Sequence, residues 1–180
     1  MPFDPTKPVD ASQVVAAELR NQFNALKALL DAQPVVATGR VVADWTSGSS
    51  SFTDVGGLSF AVANGENWTA EIVLHAISGT SGQGFKFRVT GPGAGSVMIA
   101  MQGTGASGSS TIECEVQTAF SVASPAKTFC AGAALTGVVR IHVVVVGGSA
   151  GIVQLQASNS GAGSAVTIKA GSDLVARRTG

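Results

Sequence analysis

Charged residues are scarce in this chain. Asp, Glu, Lys and Arg make up 12% of its 180 residues, and 11 acidic side chains balance 11 basic ones. A typical globular protein has about 25% charged residues. Because affinity for nucleic acid grows with the number of phosphates that a protein neutralises, this composition excludes a nucleic-acid partner. A surface so poor in charge also indicates that much of the exterior lies against other protein.

Cysteine occurs twice, and tyrosine is absent. Two cysteines cannot build the disulfide framework of a small secreted domain, so we expect Cys114 and Cys130 to be buried thiols in a reducing compartment. The longest apolar run, Val143–Val146, is far shorter than the roughly 20 residues that a membrane span needs. Residues 1–20 lack the basic start and apolar core of a signal peptide. We therefore expect a soluble protein, made in the cytoplasm and without a membrane partner.

The N-terminal segment combines an extended arm with one helical run. Prolines at positions 2, 5 and 8 favour an extended arm. Residues 10–32 are rich in Ala, Leu and other good helix formers, with Asp10 and Gln13 as a capping box and Pro34 as the stop. The apolar residues at spacings of three and four predict one stripe on this helix: Val15, Leu19, Phe23, Leu26 and Leu30.

An amphipathic helix of this length is marginal alone and needs a cover for its stripe. One candidate cover is the rest of the chain, and the other is the same helix in neighbouring subunits. Gln22 at a core position would make such a helical bundle a weak coiled coil. The extended arm favours attachment to a neighbour. Both covers remain open from these residues alone.

The remainder of the chain has the pattern of an antiparallel β protein. Its 23 glycines lie mainly between short strand-like runs and follow no collagen-like period. Asn64–Gly65 predicts a two-residue hairpin turn between the strands on either side. Eleven strands are expected: 40–46, 51–55, 58–63, 66–78, 84–90, 96–102, 111–122, 135–146, 152–157, 165–169 and 174–178.

The pattern predicts a mainly β fold, an antiparallel jelly-roll sandwich preceded by an extended arm and one N-terminal α-helix. We assign residues 1–38 to the anchoring and oligomerisation stem and residues 39–180 to the jelly-roll head.

The run from Leu135 to Val146 is apolar on both faces apart from two side chains, Arg140 and His142. A strand of this kind in an antiparallel sandwich indicates a second buried surface, which is most simply a subunit interface. We therefore take Arg140, His142 and Val144 as the candidate trimer interface.

Catalytic and metal-binding patterns are missing. His75 and His142 have no partner at metal-ligand spacing, so they are expected to be core or interface histidines, with a cluster on a trimer axis as the alternative. Glu113 and Glu115 share a strand face without a His, Arg or metal partner nearby, which favours a solvated face or an ion pair between subunits. We expect no enzyme activity, no cofactor and no metal.

Two segments resemble a known group of proteins. The opening Met-Pro-Phe-Asp-Pro-Thr-Lys-Pro-Val-Asp, followed by residues 17–31, resembles the N-terminal segment of small tailed-bacteriophage virion proteins. The closing segments Gly151–Ser158 and Ser164–Thr179 are similar to the last strands of trimeric jelly rolls of the tumour-necrosis-factor and C1q-like kind, which phages use as fibre tips and head decorations. Together these segments cover about a third of the chain.

The resemblance implies a homotrimeric virion structural protein, either a tail-fibre or a head-fibre and capsid-decoration component. It also implies contact with other virion proteins through residues 1–33. A receptor- or carbohydrate-binding adhesin head is the alternative, with a host surface receptor or glycan bound by the loops Ser78–Gln83, Gly91–Gly95 and Gly103–Ser110. These loops lack the aromatic platform typical of sugar sites.

The helical stripe generates the first testable prediction. Leu26→Asp should reduce assembly far more than Lys27→Asp, because Leu26 lies within the stripe and Lys27 lies outside it. Burying an unpaired carboxylate costs several kcal/mol, whereas a charge change on a solvated helix face costs only a few tenths of a kcal/mol. Oligomer mass and particle incorporation measure the difference, and equal behaviour of the two variants would show that the stripe is not buried.

Overall fold

The computed structural model describes residues 16–31, 33–78, 84–104, 112–121, 129, 136–161 and 165–179. The chain divides into two units, Met1–Val35 and Val36–Gly180.

The first unit contains one helix, α1 (Ala16–Asp31). It ends where Gln33 donates its amide to the Leu30 carbonyl (3.1 Å), just before Pro34. Lys27 and Asp31 form an exposed ion pair at i,i+4 spacing (2.5 Å), which is worth a few tenths of a kcal/mol. The predicted helix is confirmed over these residues. Its expected first turn, with the capping pair Asp10 and Gln13, lies outside the described residues.

The second unit is built from antiparallel strands. They are β1 (Val36–Arg40), β2 (Trp45–Ser47), β3 (Thr53–Val62), β4 (Trp68–Ser78), β5 (Phe85–Thr90), β6 (Ala94–Thr104), β7 (Ile112–Gln117), β8 (Thr136–Gly148), β9 (Gly151–Asn159), β10 (Val166–Ile168) and β11 (Asp173–Arg178).

The larger sheet, sheet A, has the order β1-β11-β4-β8-β6-β7. β10 pairs with β4 beyond the end of β11, and β2 pairs with β10. The segment between β1 and β2 lies beside the segment between β10 and β11. The two are joined there by hydrogen bonds from the Val41 amide to the Ser172 carbonyl and from the Gly171 amide to the Val41 carbonyl (both 2.8 Å). Beside this break, the Asp44 carboxylate accepts from Lys169 Nζ and from the Ala170 amide.

The smaller sheet, sheet B, has the order β3-β9-β5, and Phe129 bridges Phe85 on β5. Successive strands mostly change sheet along the chain: β3 lies in B, β4 in A, β5 in B, β6 and β7 in A, β8 in A, β9 in B, and β10 and β11 in A. This winding confirms the predicted antiparallel sandwich of the jelly-roll kind. The β6–β7 pair extends sheet A beyond β8.

The core fills the space between the two sheets. β4 and β8 bury every second residue toward it, including Ile72 and Leu74 on β4 and Ile141 on β8. Phe85 and Phe87 on β5 stack with their ring centroids 5.5 Å apart, and Phe129 packs 5.8 Å from Phe87. All three rings are fully buried. Full burial of one such side chain contributes about 1.5–3 kcal/mol.

Several strand predictions differ from the structure. The predicted strands 51–55 and 58–63 are one strand, β3, with an irregular register between Asp54 and Ser59. Gly57 adopts a φ of +82° there, and its carbonyl approaches Gly39 so closely that a Cβ on Gly39 would lie 2.1 Å from the oxygen. The predicted strand 40–46 is two strands, β1 and β2, and β1 already begins at Val36, inside the range assigned to the stem.

The Asn64–Gly65 turn does not form the predicted hairpin. Gly65 has the expected positive φ of +78°, and the Glu66 amide donates to the Ala63 carbonyl (3.3 Å). The strand before the turn pairs with β9 in sheet B, and the strand after it pairs with β8 and β11 in sheet A. The dipeptide specifies the turn but not which strands pair, so the turn is a crossover between the sheets.

Glu66 holds this crossover together. Its Oε2 accepts from the Ala63 amide and from Trp68 Nε1 (both 2.9 Å), and its Oε1 accepts from Arg178 Nη1 (2.9 Å). These hydrogen bonds, led by the one from the Ala63 amide, lower the pKa of the Glu66 carboxyl from 4.5 to about 2. The contact joins the end of β3, the start of β4 and the end of β11.

The lowered pKa of Glu66 predicts how stability depends on pH. A carboxyl whose folded-state pKa lies below its unfolded value stabilises the fold fully above pH 4.5, and this contribution is lost as pH falls toward 2. Glu66→Gln should therefore be less stable than the wild type at pH 7, and the difference should shrink between pH 4.5 and pH 2. Thermal melts across this range test it, with Asp31→Asn, which removes an exposed carboxylate on α1, as the control. A constant difference at all pH values would contradict the assignment.

The position of β1 predicts where the chain can be shortened. Deleting residues 1–33 should leave a cooperative thermal transition of residues 36–180, because β1 begins at Val36 and pairs with β11 over its whole length. Deleting residues 1–40 removes that strand and should lower the melting temperature clearly. An insoluble product from the shorter deletion, or equal melting of the two products, would show that the stem and head are not separate in this way.

Candidate functional site

The outer face of sheet A, which points away from sheet B, carries the predicted interface residues. Along β8, Val139, Ile141, Val143 and Val145 are buried in the core, and the residues between them point outward. Arg140, His142 and Val144 therefore lie side by side on this outer face, as the sequence predicted. Val138 and Val146 extend the same row at either end.

Neighbouring strands continue this face in register. Met98 on β6 lies opposite Val144, and Ala100 lies between His142 on β8 and Val116 on the edge strand β7. Met98 is 46% exposed, Val116 65% and Ile112 67%. The large apolar side chains exposed on this face are Val36, Met98, Ile112, Val116, Val138 and Val146. Val36 lies apart on β1, and the other five form an apolar surface across β8, β6 and β7 that the sequence analysis identified only on β8.

A balanced charge pair lies near the middle of the face. Glu71 on β4 is directly opposite His142, and its Oε1 accepts from Arg140 Nη1 (3.4 Å). Both partners are more than half exposed, so in the isolated chain the pair is worth less than about 1 kcal/mol. Covering the face would exclude water from these charges and make their pairing decisive for which surfaces fit together.

The two histidines do not form a cluster within the chain. His142 lies opposite Glu71, whereas His75 lies opposite Val138 on the far side of Arg140. Among the described residues, no group of three or more His, Cys, Asp or Glu side chains is placed to hold a metal ion. Both histidines are exposed on the same outer face, so neither lies in the core, and their place in an interface stays a prediction.

The expectation of buried thiols is wrong for Cys114. This residue is a free, exposed cysteine on β7, in register with Gln102 on the outer face. The alternation along β7 turns Ile112, Cys114 and Val116 outward, and β7 is the last strand of sheet A among the described residues. Cys130 lies outside the described residues.

The paired acids on β7 are only partly described. Glu115 is half-buried, and its Oε1 accepts from Gln117 Nε2 (2.8 Å), so it does not lie on a solvated face. The side chain of Glu113 lies outside the described part of the structure.

The outer face of sheet B has a different character. Its outward side chains on β5 and β9 are mostly polar: Lys86, Arg88, Thr90, Gln154 and Gln156. Ile152 is the one large apolar side chain exposed among the described residues of these two strands. The large apolar side chains exposed on the described strands are thus concentrated on the outer face of sheet A.

The helical stripe is also accessible. Leu19, Phe23, Leu26 and Leu30 are between 40% and 64% exposed, and no described residue of α1 is buried. Val15, the first predicted member of the stripe, lies outside the described residues. The stripe thus remains available for a partner. No helix among the described residues is long and apolar enough to cross a membrane.

One of the three predicted binding loops borders a cleft. The Gly91–Gly95 turn and residues Thr118–Ser121 enclose about 370 Å³, lined by no charged side chain. The ring of Phe120 packs against Gly91, where a Cβ would lie 2.6 Å from ring atoms, and Ser121 adopts a φ of +63°. No pattern in the sequence indicated that the segment after β7 would place an aromatic ring beside this turn. Most of the other two loops lies outside the described residues.

Comparison with known proteins gives matches among solved structures only. No protein-family model matches the sequence, and no curated protein matches it. Among solved structures, the infectious bursal disease virus VP2 subviral particle aligns over 82% of this chain and 38% of that chain, with 12% identity and a TM-score of 0.23. The structure of the Gx strain of the same virus aligns over 81% of this chain and 37% of that chain, with 12% identity and a TM-score of 0.23.

This chain thus spans less than two fifths of the length of those viral proteins. Their TM-scores are too low to establish a common fold. A functional assignment therefore depends on the chain's own surfaces.

Proposed function

We propose that this chain is a non-enzymatic structural component of a bacteriophage virion, of the tail-fibre or head-decoration type. Three copies associate through the outer face of sheet A, and residues 1–33 anchor the trimer to other virion proteins. The sequence resemblance of the N-terminal arm and of the closing strands supports this placement in a virion.

The observation that carries the proposal is the apolar outer face of sheet A. Monomeric soluble proteins rarely expose large contiguous apolar patches. Here Val138, Val146, Met98 and Val116 lie on adjacent strands and are all at least 42% exposed. A second copy is the occupant that suits this face best, because its central charges are balanced and can pair between identical copies. Arg140 of one copy can reach Glu71 of the next, and the exchange repeats around a closed ring.

The width of the face supports two neighbours for each copy. Six strands at about 4.8 Å spacing span roughly 24 Å between the outermost strands. One copy can cover the side of β6 and β7 while another covers the side of β11 and β1. In a closed trimer each copy contacts two neighbours. In a dimer about a two-fold axis, each copy contacts one neighbour through one continuous surface.

The proposed trimer predicts the effect of a charge placed on each sheet. Val144→Glu should convert a trimer of 17.9 kDa chains into monomers, because burying an unpaired carboxylate costs several kcal/mol per copy. Light scattering coupled to size exclusion measures the mass. Ile152→Glu is the matched control, because it places the same charge at an exposed branched residue on sheet B and should leave the trimer intact.

A monomeric wild type at micromolar concentration would contradict self-association. A dimeric wild type would contradict the three-fold arrangement but not association through the outer face of sheet A. Equal loss of mass in both variants would show that sheet A has no special role.

A further inference from the structure

A connected group of side chains crosses the polar outer face of sheet B. Arg88 on β5 donates from Nε to Gln156 Oε1 (2.6 Å), and Gln156 Nε2 donates to Asp54 Oδ1 (2.6 Å). Gln156 lies in register with both partners, between β5 and β3. The ring of Phe52 lies under the Arg88 guanidinium, with Cζ 4.7 Å from the ring centroid. We call these four residues the Arg88 relay.

The relay fixes the arginine without using its terminal nitrogens. Stacking on Phe52 sets the plane of the guanidinium, and the bond from Nε to Gln156 sets its rotation within that plane. Neither Nη1 nor Nη2 has a partner among the described residues. They form the planar fork that binds a carboxylate through two parallel hydrogen bonds. An arginine held in this way loses less side-chain entropy on binding than a free surface arginine.

The charge around the fork favours an anion. Lys86 lies two residues before Arg88 on the same face of β5, about 7 Å along the strand. The acidic residue of the relay, Asp54, already accepts from the Gln156 amide. The group therefore contains two cations, Lys86 and Arg88, and one carboxylate, Asp54, which is already hydrogen-bonded. The chain as a whole has a formal net charge of zero.

We propose that the Arg88 relay binds the carboxylate of an acidic saccharide, with Arg88 as the fork and Lys86 as a second cation. The Thr90 hydroxyl and the Gln154 side-chain amide lie on the same face beside the fork, which suits a sugar with many hydroxyl groups. Among the described residues of β5 and β9, Ile152 is the one exposed large apolar side chain, so these strands offer little to the apolar side chains of a peptide. This inference goes beyond the proposed function and does not depend on it, because sheet B stays free whether or not sheet A is covered.

The test titrates the full-length chain with trigalacturonate, a short acidic saccharide, by calorimetry and by amide chemical shifts. The neutral methyl ester of the same trisaccharide and triglutamate are the comparison probes. We expect the acid to bind and to shift the amides around Arg88 and Gln156. Loss of the charge-assisted hydrogen bonds should weaken the ester about 10- to 100-fold. No binding of the acid, equal binding of the ester, or equal binding of triglutamate would overturn the proposal.

Variants of Arg88 and Phe52 then distinguish binding by the planar guanidinium from binding by positive charge alone. Arg88→Gln should weaken binding of the acid about 10- to 100-fold. Arg88→Lys should also weaken it, because lysine keeps the charge and loses the planar fork. Phe52→Leu should weaken it about 2- to 5-fold through loss of the stacking that orients the guanidinium.

Arg20→Gln on the exposed surface of α1 is the matched control and should bind as the wild type does. If Arg88→Lys binds with full affinity, positive charge alone accounts for binding and the proposed role of the planar guanidinium is wrong. The oligomer mass of each variant is measured in parallel, so that failure of saccharide binding and failure of trimer formation are distinguishable.

Discussion

The structure depends on strict alternation along two adjacent strands, β4 and β8. Because every second residue of each strand is buried between the sheets, the pairing of Ile72 with Ile141 fixes the position of all their neighbours. A slip of one residue would place Arg140 and His142 in the core, and burying an unpaired charge there costs several kcal/mol. The same constraint that builds the core therefore also places the candidate interface on the outer face.

The two outer faces differ because the strands of the two sheets carry different residues at their outward positions. In sheet A, valine and methionine occupy many of these positions on β8 and β6, and the charged pair of Arg140 and Glu71 lies near the middle of the face. In sheet B, arginine, lysine and glutamine occupy many of them, and Arg88, Gln156 and Asp54 are joined by hydrogen bonds across the strands. One face is thus suited to contact with another protein surface, and the other remains hydrated and able to bind polar ligands.

Much of the fold was predictable from local patterns. Helix formers with an apolar repeat predicted α1, and alternating strands separated by glycine predicted the sandwich. The orientation of Arg140, His142 and Val144 followed from a period of two residues. What failed was each inference that needed a pairing partner. The Asn64–Gly65 turn was correct as a turn but wrong as a hairpin, because a positive φ at Gly65 does not state which sheet receives the next strand. Cys114 was expected to be buried, and it is exposed on β7, the last strand of its sheet among the described residues.

The sequence by itself determined the periodicities: where strands run, which side chains share a face, and where the chain turns. These depend on backbone geometry within a few residues, so local composition suffices. Only the tertiary structure decided which strands are neighbours, and with that the apolar surface shared by β8, β6 and β7. It alone brought together Phe52, Arg88 and Gln156, of which the first and last are 104 positions apart in the sequence. Contacts of this kind arise from hydrogen bonding between distant strands, and no local pattern encodes them.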